Sequence, residues 1–391
     1  MRILWYNWRD IKNPDAGGAE VFTHEVCKRL LLGGKDGVQS ITLFTESFDG
    51  CKPEEIVDGI RVVRAGSKYS VYKKAKEFYL QNKDSFDIVV DEINTKPFGT
   101  PSFVHDKPIV ALIHQLAREF WFYETKFPIN ILGYYFLEKY WLSKYRNITT
   151  MTVSNSTMQD LKHLGFTDVH VVPEGLSFSP LHALPEIEIK PTVLFVGRLK
   201  KAKRPDDALK AFRKIKDEIR DAKFWMVGSG YMEGELRAMV HKMFPDESAA
   251  ADITIFGRQT SERKLELMSR AHVLLVPGVR EGWGLVVTEA NAMGTPAVAY
   301  DVPGLRDSVI DGVTGKLVHK DDYLGMAIEA VGLLKDHIKR KTYSKNALEN
   351  AKSFDWQTTA MRIQNILNQC RLEYSKASAE QFSTTTTTVS K

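Results

Sequence analysis

The sequence predicts an α/β protein of two domains in tandem, each built on a mostly parallel sheet. Three observations carry this expectation. Short β-branched runs alternate with longer amphipathic stretches, the pattern of βαβ units. A proline-rich connection interrupts the alternation near the middle, and the same alternation then restarts. The 391 residues are too many for one ordinary α/β domain, and an apolar fraction of 43% is enough for two cores.

In the first half, strands are expected at 3–6, 41–44, 61–64, 88–91, 109–113, 149–153 and 170–172. A helix from 19 to about 32 follows the first strand, with Gly33-Gly34 as its C-terminal stop. Pro173, Pro180, Pro185 and Pro191 then break regular structure and stiffen a connection. Beyond them strands are expected at 192–196, 224–227, 253–256, 273–276 and 297–299, separated by helices. The clearest helix, 206–219, carries Ala208, Leu209, Ala211, Phe212 and Ile215 on one face. The chain therefore reads as two tandem Rossmann-like domains, 1–175 and 176–355. A helix over 356–380 is expected to return to the first domain, and 381–391, with its five consecutive threonines, to be disordered. Two such domains are expected to face a central cleft at the carboxyl ends of their strands, where open α/β sheets bind ligands.

A net charge of +5 suits an anionic ligand or membrane surface, while no Lys/Arg block accompanies a nucleic-acid motif. Cys27, Cys51 and Cys370 lack CxxC spacing and read as reduced cytosolic thiols. The start of the chain runs directly into a strand, with no signal pattern and no long apolar run. A cytoplasmic protein is expected, in which the triplets at Asn147 and Asn155 have no glycosylation meaning. No His, Cys or carboxylate group has metal-ligand spacing, so neither a metal nor a cofactor is expected.

The strongest motif is Arg280-Glu281-Gly282-Trp283-Gly284-Leu285-Val286-Val287-Thr288-Glu289-Ala290. It follows an expected strand and opens a helix near Gly284. The amides of Leu285 and Val286 would point out of the positive end of that helix, and Gly282 and Gly284 would let an anion approach the backbone. Glu281 in the loop and Glu289 in the helix can accept from sugar or ribose hydroxyls. The bland alternative is a solvated loop carboxylate and a helix-surface one. In Gly197-Arg198-Leu199-Lys200-Lys201-Ala202-Lys203, Arg198 and Lys203 could hold and neutralise a diphosphate; the alternative is an ordinary basic loop before Arg204-Pro205. Gly17-Gly18 could seat a phosphate or sugar at the first helix, or simply turn the chain. Gly228-Ser229-Gly230 imitates a dinucleotide fingerprint but has its third glycine one place late, and reads as a packing turn. His114 ends an expected strand on the ligand side, where it is either structural or catalytic.

Together these residues resemble glycosyltransferase family 4, the retaining group 1 enzymes of the GT-B fold, from Met1 to about Leu372. Glu281 and Glu289 match that family's E-x7-E motif. Gly197-Arg198-Leu199 with Lys203, Gly17-Gly18 and His114 match its other conserved positions. Val153-Ser154-Asn155-Ser156 through Val172-Pro173-Glu174-Gly175 resembles its strand–helix–strand before the hinge. Glu174 stands where many relatives have Asn, and Trp283 where Phe is commoner. The resemblance implies a metal-independent transferase moving a hexose-type sugar from a UDP- or GDP-linked donor to a glycan or lipid-linked acceptor. It implies that Arg198 and Lys203 hold the diphosphate, Glu289 the ribose, Glu281 the transferred sugar, and that His114 contacts the sugar or acceptor. A nucleotide-sugar epimerase and a non-catalytic binding subunit of the same fold are the alternatives.

Between Phe120 and Tyr145 aromatic residues crowd among Lys126, Lys139, Lys144 and Arg146. Tyr134, Leu137, Trp141 and Tyr145 follow helical spacing on one face. A second basic–aromatic stretch runs from Lys68 to Lys76. A peripheral contact with the inner membrane face is one expectation; a core helix or a dimer contact is the other.

Overall fold

The computed structural model describes residues 1–33 and 37–388, with side chains described as far as 380. Gly34 of the expected helix stop and the last three tail residues lie outside the described residues. The chain forms two compact units. Unit 1 comprises Met1–Ala117, Leu132–Gly175 and Asp355–Lys391; unit 2 comprises Arg118–Ile131 and Leu176–Phe354.

Unit 1 begins with β1 (Arg2–Tyr6), α1 (Gly18–Leu32), β2 (Ser40–Thr45), β3 (Glu54–Val57), β4 (Ile60–Arg64), α2 (Val71–Asn82), β5 (Ile88–Ile93) and β6 (Ile109–Ile113). Ile3, Leu4, Trp5 and Tyr6 are all buried, as in a sheet covered on both faces. Strand β3 was not among the expected elements. It pairs antiparallel with β4 through Asp58 and Gly59, whose φ values of 48° and 85° are those of a two-residue type I′ hairpin turn. The Asp-Gly pair is the sequence signal for that turn.

The chain then contributes α3 (Phe120–Glu124) to unit 2 and continues through α4 (Ile129–Leu132), a π-helical turn (Gly133–Leu137), α5 (Glu138–Ser143), β7 (Thr150–Thr152), α6 (Asn155–His163) and β8 (Val169–Val171). The sheet of unit 1 has the order β3-β4-β2-β1-β5-β6-β7-β8, parallel except at β3. Of the expected face, Tyr134, Leu137 and Trp141 are partly buried and Tyr145 is buried, which is the core-packing alternative and not an outward face. Tyr145 is fully buried and its hydroxyl donates to Asp91 Oδ2 at 2.5 Å, while the side chains that point outward are Leu132, Tyr135, Phe136 and Tyr140. The π turn shifts the helical phase, and a buried carboxylate holds the one polar tip that would otherwise need water.

Unit 2 contains β9 (Thr192–Val196), α7 (Pro205–Glu218), β10 (Lys223–Val227), α8 (Glu233–Met243), α9 (Glu247–Ala251), β11 (Ile253–Gly257), α10 (Ser261–Arg270), β12 (Val273–Val276), α11 (Leu285–Ala292), β13 (Ala297–Tyr300), α12 (Leu305–Ser308), β14 (Gly315–Val318), α13 (Tyr323–Lys335) and α14 (His337–Ala351). Its sheet is parallel, in the order β11-β10-β9-β12-β13-β14, with β14 an edge strand absent from the sequence reading. The apolar stripe of α7 is buried, Phe212 stacking on Phe224 of β10 at 4.9 Å. The strand order reverses at β1/β5 in unit 1 and at β9/β12 in unit 2. Such reversals open a crevice beyond the carboxyl ends of the strands.

Helix α15 (Trp356–Thr388) belongs to unit 1 and packs on α1, with Trp356 fully buried against Phe22. It runs into the stretch expected to be disordered: 381–388 continue the helix.

Candidate functional site

In unit 2 the loops after β9 and β12, neighbours at the strand-order reversal, come together. The amide of Val279 donates to the carbonyl of Ala202 at 3.0 Å, and Lys203 Nζ donates to Glu281 Oε1. Lys203 and Glu281 are 78 positions apart, and the fold makes them an ion pair with both side chains mostly buried. A pair so placed adds on the order of 1 kcal/mol of stability, so its larger effect is to fix a cation and a carboxylate side by side. Arg198 lies exposed in the same loop, and no ion pair or hydrogen bond involving its side chain is found among the described residues.

Three glycine contacts shape these loops. A Cβ on Gly304 would lie 2.2 Å from the carbonyl oxygen of Glu281, whose amide donates to Pro303 O at 3.0 Å. A Cβ on Gly228 would lie 1.9 Å from Gly197 O, and one on Gly230 2.3 Å from Leu199 O. Gly228-Ser229-Gly230 is thus a packing turn. It also accepts the amide of Leu199 through Ser229 O at 2.9 Å, and so holds the loop that carries Arg198.

Helix α11 starts after Gly284, whose φ of 96° places it in the left-handed region. With no side chain at that cap, the first-turn amides of Leu285 and Val286 receive no capping side chain. Gly282 precedes them in the loop. Glu289, one and a half turns along, accepts from Lys264 Nζ with both carboxylate oxygens at 2.7 Å. Lys264 sits on α10 and was not singled out in the sequence, where no motif links it to Glu289.

A second group missed in the sequence comes from the segment that unit 2 takes from the first half. Glu119 Oε2 accepts from Arg280 Nε at 2.8 Å; burial raises the Glu119 carboxyl and the arginine outweighs it, leaving the pKa lowered. Glu124 Oε1 accepts from the amide of Ala202 at 3.1 Å. These residues brace both loops, and nothing in local sequence signals it.

Unit 1 holds Gly17, Gly18 and His114. Gly17 caps α1, but its amide already donates to Glu20 Oε2 at 2.6 Å, so a carboxylate of the chain occupies part of this helix end. His114 follows β6 and is buried. Its Nε2 lies 3.1 Å from Glu92 Oε1 and its Nδ1 3.7 Å from Glu174 Oε1. Burial would lower its pKa; the two carboxylates overcome that and raise it to about 9. Glu92 is fully enclosed and was not singled out in the sequence. Among the described residues no group of three or more His, Cys, Asp and Glu side chains could hold a metal ion, and no helix is long and apolar enough to cross a membrane.

Residues 182–350 match the family described as glycosyl transferases group 1. D-inositol 3-phosphate glycosyltransferase of Corynebacterium aurimucosum is 31% identical over 176 residues, 44% of this chain and 42% of that protein. The match thus spans less than half the length of this curated relative. Sucrose-phosphate synthase from Thermosynechococcus elongatus shares the fold with a TM-score of 0.76 and 20% identity, over 94% of this chain and 98% of that one. Anabaena HepE in complex with UDP-glucose gives a TM-score of 0.71 at 16% identity, over 94% of this chain and all of that one. The fold is GT-B, and the resemblance to group 1 glycosyltransferases stands on unit 2.

The close approach at Gly228, whose φ is 136°, makes Gly228→Ala a test of the packing turn. The substitution is expected to cost more than the ~1 kcal/mol typical of point changes. Urea unfolding measures the loss; a stability equal to that of the unmodified chain contradicts the contact.

Proposed function

We propose that the protein is a retaining, family 4-type glycosyltransferase that moves a hexose from a nucleoside-diphosphate sugar to a glycan or lipid-linked acceptor. The observation that carries this reading is the convergence of Lys203, Glu281, Arg198 and the α11 amino terminus beyond the β9/β12 strand-order reversal. A diphosphate is an anion with hydroxyl-bearing groups at both ends, and this corner offers cations, first-turn amides and two carboxylates.

On this reading Arg198, Lys203 and the amides of Leu285 and Val286 hold the diphosphate, with Gly282 and Gly284 leaving room for it. They neutralise the charge that grows as the diphosphate departs, the interaction that accelerates the step most. Glu281 accepts from hydroxyls of the transferred sugar and Glu289 from the ribose, with Lys264 fixing the Glu289 carboxylate. Gly17, Gly18 and His114 are read as contacts of the sugar or acceptor. The UDP-glucose complex of the HepE neighbour supports a UDP-linked donor.

Glu281→Ala is expected to reduce nucleoside-diphosphate release during transfer by several orders of magnitude, while loss of its ion pair with Lys203 lowers the melting temperature by only a few degrees. Arg198→Ala is expected also to remove the thermal stabilisation given by free UDP or GDP. Wild-type turnover in folded Glu281→Ala sinks the assignment, and epimer exchange of the donor without transfer favours the epimerase instead.

Because the protein's own cations neutralise the leaving group, turnover is expected to be unchanged by EDTA. Loss on chelation with recovery in magnesium or manganese contradicts this electrostatic account.

The acceptor is proposed to be lipid-linked, reached by peripheral contact at the cytoplasmic membrane face. The outward Leu132, Tyr135, Phe136 and Tyr140 support this, with Lys139 exposed among them and Lys144 over the Tyr140 ring at 4.8 Å. Co-sedimentation with anionic vesicles is expected, weakened by salt and by Phe136→Ser with Tyr140→Ser. Absence of binding at low salt leaves a soluble acceptor.

A further inference from the structure

The buried carboxylates around His114 have no part in the reading so far, and Glu174 departs from the Asn that the family resemblance leads one to expect. Their arrangement begins with strand alternation. Asp91 and Glu92 are adjacent on β5, so their side chains leave opposite faces of the sheet. Asp91 binds Tyr145 and Thr100, while Glu92 turns toward α1 and β6.

Glu92 is surrounded by donors. Its Oε2 accepts from Trp5 Nε1 at 2.7 Å and from the Thr23 hydroxyl; its Oε1 accepts from Asn7 Nδ2 at 2.9 Å and faces His114 Nε2 at 3.1 Å. Asn7 is itself held by Asn94 Nδ2 at 2.8 Å. A carboxylate with its neighbours so arranged acts as acceptor toward all four, so His114 Nε2 carries a hydrogen. The other ring nitrogen, Nδ1, faces Glu174 Oε1 at 3.7 Å, outside direct hydrogen-bond range but well inside ion-pair range. The edge-to-face contact with Phe22, at 5.0 Å and 89°, blocks the ring from turning away.

A neutral imidazole has one N–H and one lone pair. Between these carboxylates it would aim that lone pair at carboxylate oxygen, a repulsive arrangement in a buried site. We propose that Glu92 and Glu174 are positioning residues that keep His114 protonated on both ring nitrogens, so that it acts as a hydrogen-bond donor and not as a general base. The proposal rests on the reading that His114 serves the transferase site.

The neighbouring groups on α1 and α6 are acidic or neutral. Glu20 on α1 lies near Glu92, and its own carboxyl is raised by burial. Cys27, also on α1, is neutral because burial and Glu92 push its thiol up. Thr157 on α6 is neutral and reaches the His114 carbonyl at 3.5 Å. The cation near them is Arg9, which acts on Glu20. A pKa raised to about 9 agrees with the geometry. A doubly protonated ring has no lone pair for the proton of an attacking hydroxyl, which must pass to another acceptor. Of the two N–H groups, Nε2–H is held by Glu92, so what His114 can offer a sugar or acceptor oxygen is the Nδ1–H, which makes no direct hydrogen bond within the protein.

The test is an NMR titration of ring-labelled histidine in the full chain, assigned with His114→Gln. His114 is expected to stay protonated through neutral pH, with a midpoint near 9, and Glu174→Asn and Glu92→Gln are each expected to lower that midpoint. In parallel, the alkaline fall of kcat/KM is expected to move to lower pH in Glu174→Asn. A His114 midpoint near the ordinary 6.5, or one that Glu174→Asn leaves in place, overturns the proposal. Glu174 lies after β8 outside the sheet, so this arm stands even if Glu92→Gln unfolds the chain. If the midpoints behave as expected but His114→Gln transfers sugar at the wild-type rate, the protonation state stands and the assignment of His114 to the transferase site fails.

Discussion

The pairing of the β9 and β12 loops is the contact on which the candidate site depends. The first loop has only a short 3-10 turn at Lys201–Lys203, and each loop carries charged groups that water would otherwise solvate separately. Their backbones are locked first, by the Val279–Ala202 hydrogen bond and by glycines that let neighbouring chain approach to distances no Cβ tolerates. Lys203 and Glu281 then meet because their loops have no freedom to separate. Positioning side chains on loops held by a rigid sheet is how α/β proteins make sites whose geometry survives sequence change elsewhere.

The same logic appears in unit 1 in a different chemical form. There the fixed object is a buried carboxylate, Glu92, and the donors of β1, α1 and β6 converge on it. An enclosed carboxylate is costly unless every acceptor position is used, so the strand and helix that supply its partners are held in register by it. His114 takes its orientation from this network.

Bracing from a distant part of the chain adds a third layer. The segment Arg118–Ile131 belongs to unit 2, and its Glu119 and Glu124 hold Arg280 and the Ala202 amide. Its consequence is that residues encoded within the first half determine the shape of loops encoded in the second.

Much of the fold was legible because apolar periodicity is a local property. The strands of both sheets, the α7 stripe and the glycine-punctuated loops at Gly197 and Gly284 each announce themselves within a few residues. Edge strands β3 and β14 were missed because each is four residues long and only β3 alternates with exposed positions, so the apolar pattern is weak, although Asp58-Gly59 marked the first. Helical spacing grouped Tyr134, Leu137, Trp141 and Tyr145 on one face, and spacing alone left open whether that face turns inward; in the structure it is the less exposed one. By itself the sequence determined the element types, the two-sheet organisation and the chemical character of Arg198, Lys203, Glu281 and Glu289. Only the tertiary structure decided which charges meet: Lys203 with Glu281, Lys264 with Glu289, and Glu92 and Glu174 with His114. The physical reason is that electrostatic pairing acts over a few ångströms in space, whereas the partners are separated by tens of residues along the chain.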